Sequence, residues 1–166
     1  MSKIREVVSH TGPTYFPIAL IARLPYAMMV VGVLTLVVAG RGSMQLGGFN
    51  SAAVGLGAAL FGPLVGAAAD RYGQRITLIV TSVIHSITLL AFVWVVYSTL
   101  PNWVMLAGSF IIGASAPQTS PMSRSRLVAI VKTKLDPRNR DRMLGGAMAY
   151  ESTADELVFV FGPFIV

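Results

Sequence analysis

The chain has 166 residues, of which 54% are hydrophobic and 12% charged, and its formal net charge is +6. Soluble domains carry roughly a quarter charged residues; here the apolar residues fall in long unbroken runs and not in the two- or 3.6-residue periods of soluble elements, which excludes an ordinary soluble domain. The basic residues lie between the runs and form no basic face, which excludes nucleic acid as a partner, and the lack of cysteine excludes disulfides and thiolate metal sites.

In chain order, residues 1–14 form a polar lead containing Lys3 and Arg5, closed by Thr11-Gly12-Pro13. A first apolar run over 15–39 is long enough to cross a bilayer with some tilt. Arg23 and Pro25 interrupt it and no small-residue cleavage site follows, so it reads as a retained span and not a signal peptide. A polar, Gly-rich loop over 41–50 leads to a second span at 51–69. The third covers 76–99, with Leu100-Pro101-Asn102 as the turn after it.

The fourth span, 103–131, is apolar only to Ala116. Its middle, Pro117-Gln118-Thr119-Ser120-Pro121-Met122-Ser123-Arg124-Ser125-Arg126, is polar. Lipid cannot satisfy such groups, so this stretch must be buried by other helices or line a watery cavity. A basic loop, 132–142, precedes a fifth span at 143–166 that is incomplete where the sequence ends. The expected fold is an all-α polytopic bundle in a cell membrane. Lys and Arg favour cytoplasmic loops, and nine of them fall in the lead, the 70–75 loop and the 132–142 loop, against Arg41 alone on the other side. The N-terminus is therefore expected in the cytoplasm.

The linker between spans two and three, Gly66-Ala67-Ala68-Ala69-Asp70-Arg71-Tyr72-Gly73-Gln74-Arg75, is the most specific local feature. Glycines at 66 and 73 permit close approach and a tight turn, and Asp70 with the arginines can pair or interact with helix ends. It resembles the signature loop of the major facilitator superfamily through Gly66, Asp70, Arg71, Gly73 and Arg75; Gln74 replaces a usual basic residue. The resemblance implies part of the N-terminal half of a twelve-span secondary transporter, with this loop as a conformational latch. It also implies a small-molecule substrate, with proton coupling one option among coupling ions, and a C-terminal half that the 166 residues lack, so the chain alone is not expected to transport. Two family features of the drug antiporters are missing. Ala107-Gly108-Ser109-Phe110-Ile111-Ile112-Gly113 carries no arginine, and Gly162-Pro163 is followed by Phe164, Ile165 and Val166, not glycines.

Charges within the spans form a second constellation. Arg23 lies roughly 13 Å into the first span at 1.5 Å per residue. Glu151 and Asp155, four apart on one face of span five, reach a comparable depth, as do Arg124 and Arg126. Glu156 points about 100° away from Asp155. Intramembrane charges are costly and usually pair. Arg23, Arg124, Glu151 and Asp155 therefore form either a substrate or proton site or a structural ion-pair network, with Arg126 snorkelling to the surface. Gly62 and Gly66 form a GxxxG pair suited to helix packing. His85 in span three is a proton relay or, more simply, a polar group packed between helices. Trp94, Tyr97 and Trp103 form an aromatic belt. No Walker loop, metal cluster or nucleophile–base pair occurs. The expectation is a transporter without cofactor, and not an enzyme; the alternative is a non-transporting membrane subunit that assembles with a partner protein.

Overall fold

A computed structural model describes residues 15–134 and 140–165. The polar lead, the centre of the 132–142 loop and Val166 lie outside the described residues. Among the described residues seven helices follow one another: α1 (Tyr15–Ile21), α2 (Leu24–Arg41), α3 (Met44–Tyr72), α4 (Gln74–Tyr97), α5 (Asn102–Ala114), α6 (Thr119–Lys134) and α7 (Arg140–Ile165). No strand occurs among the described residues. Pro17–Arg41, Met44–Tyr72 and Gln74–Tyr97 are each long and apolar enough to cross a membrane.

The first of these stretches is bent. Pro25 has no N–H to donate back along the helix, and the chain turns at Ala22 and Arg23, where the Arg23 amide bonds to the Leu20 carbonyl at 3.1 Å, three residues back. Residues 44–50, expected as loop, are the opening turns of α3. Ser43 caps them, its hydroxyl accepting from the Leu46 amide at 3.3 Å. The 103–131 stretch is two helices and not one. Pro117 supplies no amide and forces Ala116 away from helical geometry, so α5 stops at Ala114 and α6 restarts at Thr119.

Helix α3 makes its closest packing against α5. A Cβ on Gly57 would overlap the Phe110 carbonyl oxygen and lie 2.8 Å from the Ala114 nitrogen; one on Gly113 would overlap the Val54 carbonyl and lie 2.9 Å from the Ala58 nitrogen. The sequence pair Gly62 and Gly66 does not serve this contact. Gly66 has open space where a Cβ would stand, and Gly62 meets only the end of the Gln118 side chain. The GxxxG spacing marks a small-residue face, but another face of α3 meets its neighbour. Beside this seam Ser109 donates to the Asn50 side-chain oxygen at 2.7 Å, with both residues fully buried.

Met29, Val33 and Val37 of α2, Val54 of α3, Phe92 and Val96 of α4, and Met105 and Ile112 of α5 make the core. Arg41 closes one end of the bundle by donating to the carbonyls of Val95 and Leu100, at 3.2 and 3.0 Å, where α4 runs out of helical partners. Near this end Trp94, Tyr97 and Trp103 stand exposed. The outer face of α4 bares Ile87, Leu90 and Trp94, and α3 bares Leu56, Leu60 and Leu64. So much contiguous apolar surface suits lipid and not water. Helix α7 packs across α1, α2 and α6, and that junction holds the charges.

Candidate functional site

The bend at Ala22–Arg23 turns the Arg23 side chain inward, leaving the residue 2% exposed. Its guanidinium spreads over three elements. One terminal nitrogen donates to the Ala19 carbonyl of its own helix at 3.2 Å, and the other bonds Glu151 of α7. Its Nε–H lies 2.9 Å from Asp155 Oδ1 and 3.1 Å from Ser120 Oγ. Glu151 is fully buried, and its second oxygen accepts from Ser123 Oγ at 2.9 Å.

Helix α6 supplies the rest because it begins with a polar face. Ser120, Ser123 and Arg124 lie three and four positions apart, on one side of the helix. Pro121 is tolerated within the first turn, where amides lack intrahelical partners anyway. Ser120 Oγ donates to Asp155 Oδ1 at 2.7 Å, and Arg124 donates to Asp155 Oδ2 at 2.7 Å. Burying a charge costs several kcal/mol unless it is paired and hydrogen-bonded. Here two arginines and two acids balance, and every carboxylate oxygen has a donor.

The network borders a cavity of about 330 Å³ lined by Tyr26, Gln118, Thr119, Arg124, Asp155 and Phe159 among others. Tyr26 and Phe159 meet edge to face, their centroids 6.4 Å apart. A smaller cavity of about 160 Å³ includes Arg23, Gln74, Thr119, Ser123 and Arg126 in its lining. Thr119 lines both, and Arg23 faces the smaller one while Asp155 and Arg124 face the larger.

Arg23, Arg124, Glu151 and Asp155 are thus brought together. Arg126 and Glu156 are exposed and take no part, so the layer of charge is two against two. The sequence reading missed Ser120 and Ser123 as partners. Their signal was the polar middle of the 103–131 stretch, which had to be buried or wet. Asn50 and Ser109 were missed too, since neutral polar residues in separate apolar runs carry no mark of pairing.

Of the 66–75 linker, Gln74 shares the lining of the smaller cavity with Arg23 and Ser123. Gly73 makes the turn between α3 and α4 with φ of +93°, a conformation that favours glycine. Gly66, expected to allow close approach, is inside α3 with no neighbour near its Cβ position. Asp70, Arg71 and Arg75 are exposed, and Arg71 stacks over Tyr72 at 5.5 Å. No ion pair involves Asp70 among the described residues. Gln74, where the resemblance has a basic residue, instead donates to Ser125 of α6 at 2.8 Å and ties the turn to that helix. His85 is buried between α4 and α5 with Nδ1 3.0 Å from the Ile112 carbonyl, while Nε2 has no hydrogen-bond partner among the described residues. No protein-family model, curated protein or solved structure matches the chain.

Proposed function

We propose that the chain forms part of the wall of a solute-translocating membrane bundle, a secondary transporter of the major-facilitator type. One observation carries this reading: a charge-balanced network, buried at Arg23 and Glu151 and exposed at Arg124, beside a partly polar cavity of about 330 Å³ within otherwise apolar helices. Charges are retained in a membrane span chiefly where they line a pathway or pair with one another. A cavity bordered by them gives a polar solute a place to leave water. The linker at Gly66, Asp70, Arg71, Gly73 and Arg75 supports the family assignment by its spacing. In this reading α5 with α6, and α7, also cross a cell membrane, the lead faces the cytoplasm, and an opposing half provides the surface against which this one rocks. As helices shift, Arg23 and Arg124 exchange carboxylate partners, and the pairs break and reform on either side of the solute.

A second reading has its own observation. Every carboxylate oxygen of the network is already satisfied, so it holds α1, α6 and α7 together without any ligand, as in a non-transporting subunit that assembles with a partner membrane protein. The two readings separate on Arg23→Ala in the native gene, with solute uptake and release profiled in whole cells. The transport reading predicts that the flux of at least one solute falls while the chain still inserts. A profile identical to the parent's, with insertion intact, would leave only the structural role.

A further inference from the structure

We infer that the larger cavity takes the carboxylate of a small organic acid, with Arg124 as the binding residue. The inference rests on the cavity being a solute site. It follows from which polar groups are already committed. Asp155 Oδ1 accepts from Arg23 and Ser120, and Oδ2 from Arg124; the Glu151 oxygens accept from Ser123 and Arg23. The acids therefore offer little to a cation. Arg124 is the reverse case. A guanidinium has five N–H donors in a planar fork, and this one spends a single terminal nitrogen on Asp155 while its side chain stays 44% exposed at the cavity.

Gln118 and Thr119 add further donors in the same lining, and among the described residues neither side chain has a hydrogen-bond partner. The Gln118 amide and the Thr119 hydroxyl can each donate or accept, and beside them the Arg124 guanidinium, which can only donate, presents a fork that matches a carboxylate in two-point contact. Tyr26 and Phe159 supply aromatic surface in the same lining. A flat apolar body with one carboxylate fits this division, and the volume lies at the lower end of that of small-molecule sites. Asp155 keeps Arg23 and Ser120 if the incoming anion pulls Arg124 away, so binding does not strand a bare carboxylate.

The test is equilibrium binding of radiolabelled benzoate to the full 166-residue chain in phosphatidylcholine nanodiscs, with benzylamine as the cationic competitor of similar shape. Saturable benzoate binding is expected, weakened at least tenfold by Arg124→Gln, partly recovered in Arg124→Lys, and unmoved by Arg126→Gln. Benzylamine should not displace it. Thermal unfolding and monodispersity show whether Arg124→Gln is folded; the Arg124→Lys comparison decides the matter if it is not. Absence of saturable binding to the folded parent, or binding indifferent to Arg124→Gln, overturns the inference. So does loss of binding when phosphatidylglycerol is added, since the site would then belong to a lipid phosphate. Saturable binding of benzylamine in place of benzoate defeats the anion assignment alone and leaves the solute cavity standing. An unchanged flux profile in Arg23→Ala cells would strike at the transport reading itself.

Discussion

Replacing Arg23 by Met removes the shared cation of the network and keeps most of its volume. Glu151 is then left fully buried with Ser123 as its one remaining network donor, whereas Asp155 retains Arg124 and Ser120. Removing one partner of a buried pair costs about 3–5 kcal/mol because the other charge is stranded. The reverse single change, Glu151→Gln, is expected to be milder, about 1.5–3 kcal/mol, the worth of a hydrogen bond to a charged group. Arg23 keeps Asp155 in that variant, and the Gln amide can still meet Ser123. The double variant strands no charge, so its cost should fall short of the sum of the two single costs by about 0.5–3 kcal/mol, a coupling typical of residues in contact. With roughly 2–4 °C per kcal/mol for a chain of this size, Arg23→Met should lower the melting temperature by about 6–20 °C. Thermal unfolding in nanodiscs, monitored by tryptophan fluorescence, reads all four corners of the cycle. A loss below about 1 kcal/mol for Arg23→Met, or strictly additive effects, would refute the reasoning.

Two further outcomes follow from the packing. Gly113→Ala should destabilise by about 1–3 kcal/mol or more, because the added carbon meets backbone of α3 that cannot rotate away; Gly66→Ala should leave unfolding unchanged or raise its midpoint slightly, gaining up to about 1 kcal/mol in helix propensity. The same melts should show Ser109→Ala costing about 1–3 kcal/mol, since it leaves the buried Asn50 oxygen without its donor, and Asn50→Leu combined with Ser109→Ala recovering part of that loss.

Membrane character was legible because apolar runs of span length have no soluble explanation. The meeting of Arg23, Arg124, Glu151 and Asp155 was legible for a related reason. Depth along each run can be counted at a fixed rise, and charges at one depth in an apolar medium must find each other. Neutral partners were not legible, since the polar 117–126 stretch had to be buried or wet but names no partner for Ser120 or Ser123, and Asn50 and Ser109 sit in separate apolar runs. The close α3–α5 seam was also hidden. Many small residues line α3, and spacing alone does not reveal whether Gly57 or Gly62 faces a neighbour. The bend at Arg23 and the break at Pro117 follow from proline chemistry, but how far each redirects a side chain depends on the packing around it.

The cavity beside the charge network should be wet inside an apolar helix bundle, and thiol accessibility reads this out. The chain has no cysteine, so Gln118→Cys in the cavity and Leu90→Cys on the bare face of α4 each create a single thiol. A thiol reacts through its thiolate, which forms in water and not in lipid. Labelling both variants in native membranes with a membrane-impermeant methanethiosulfonate should modify position 118 at least tenfold faster than position 90. Equal, slow labelling at both positions would mean a dry site and would contradict the account.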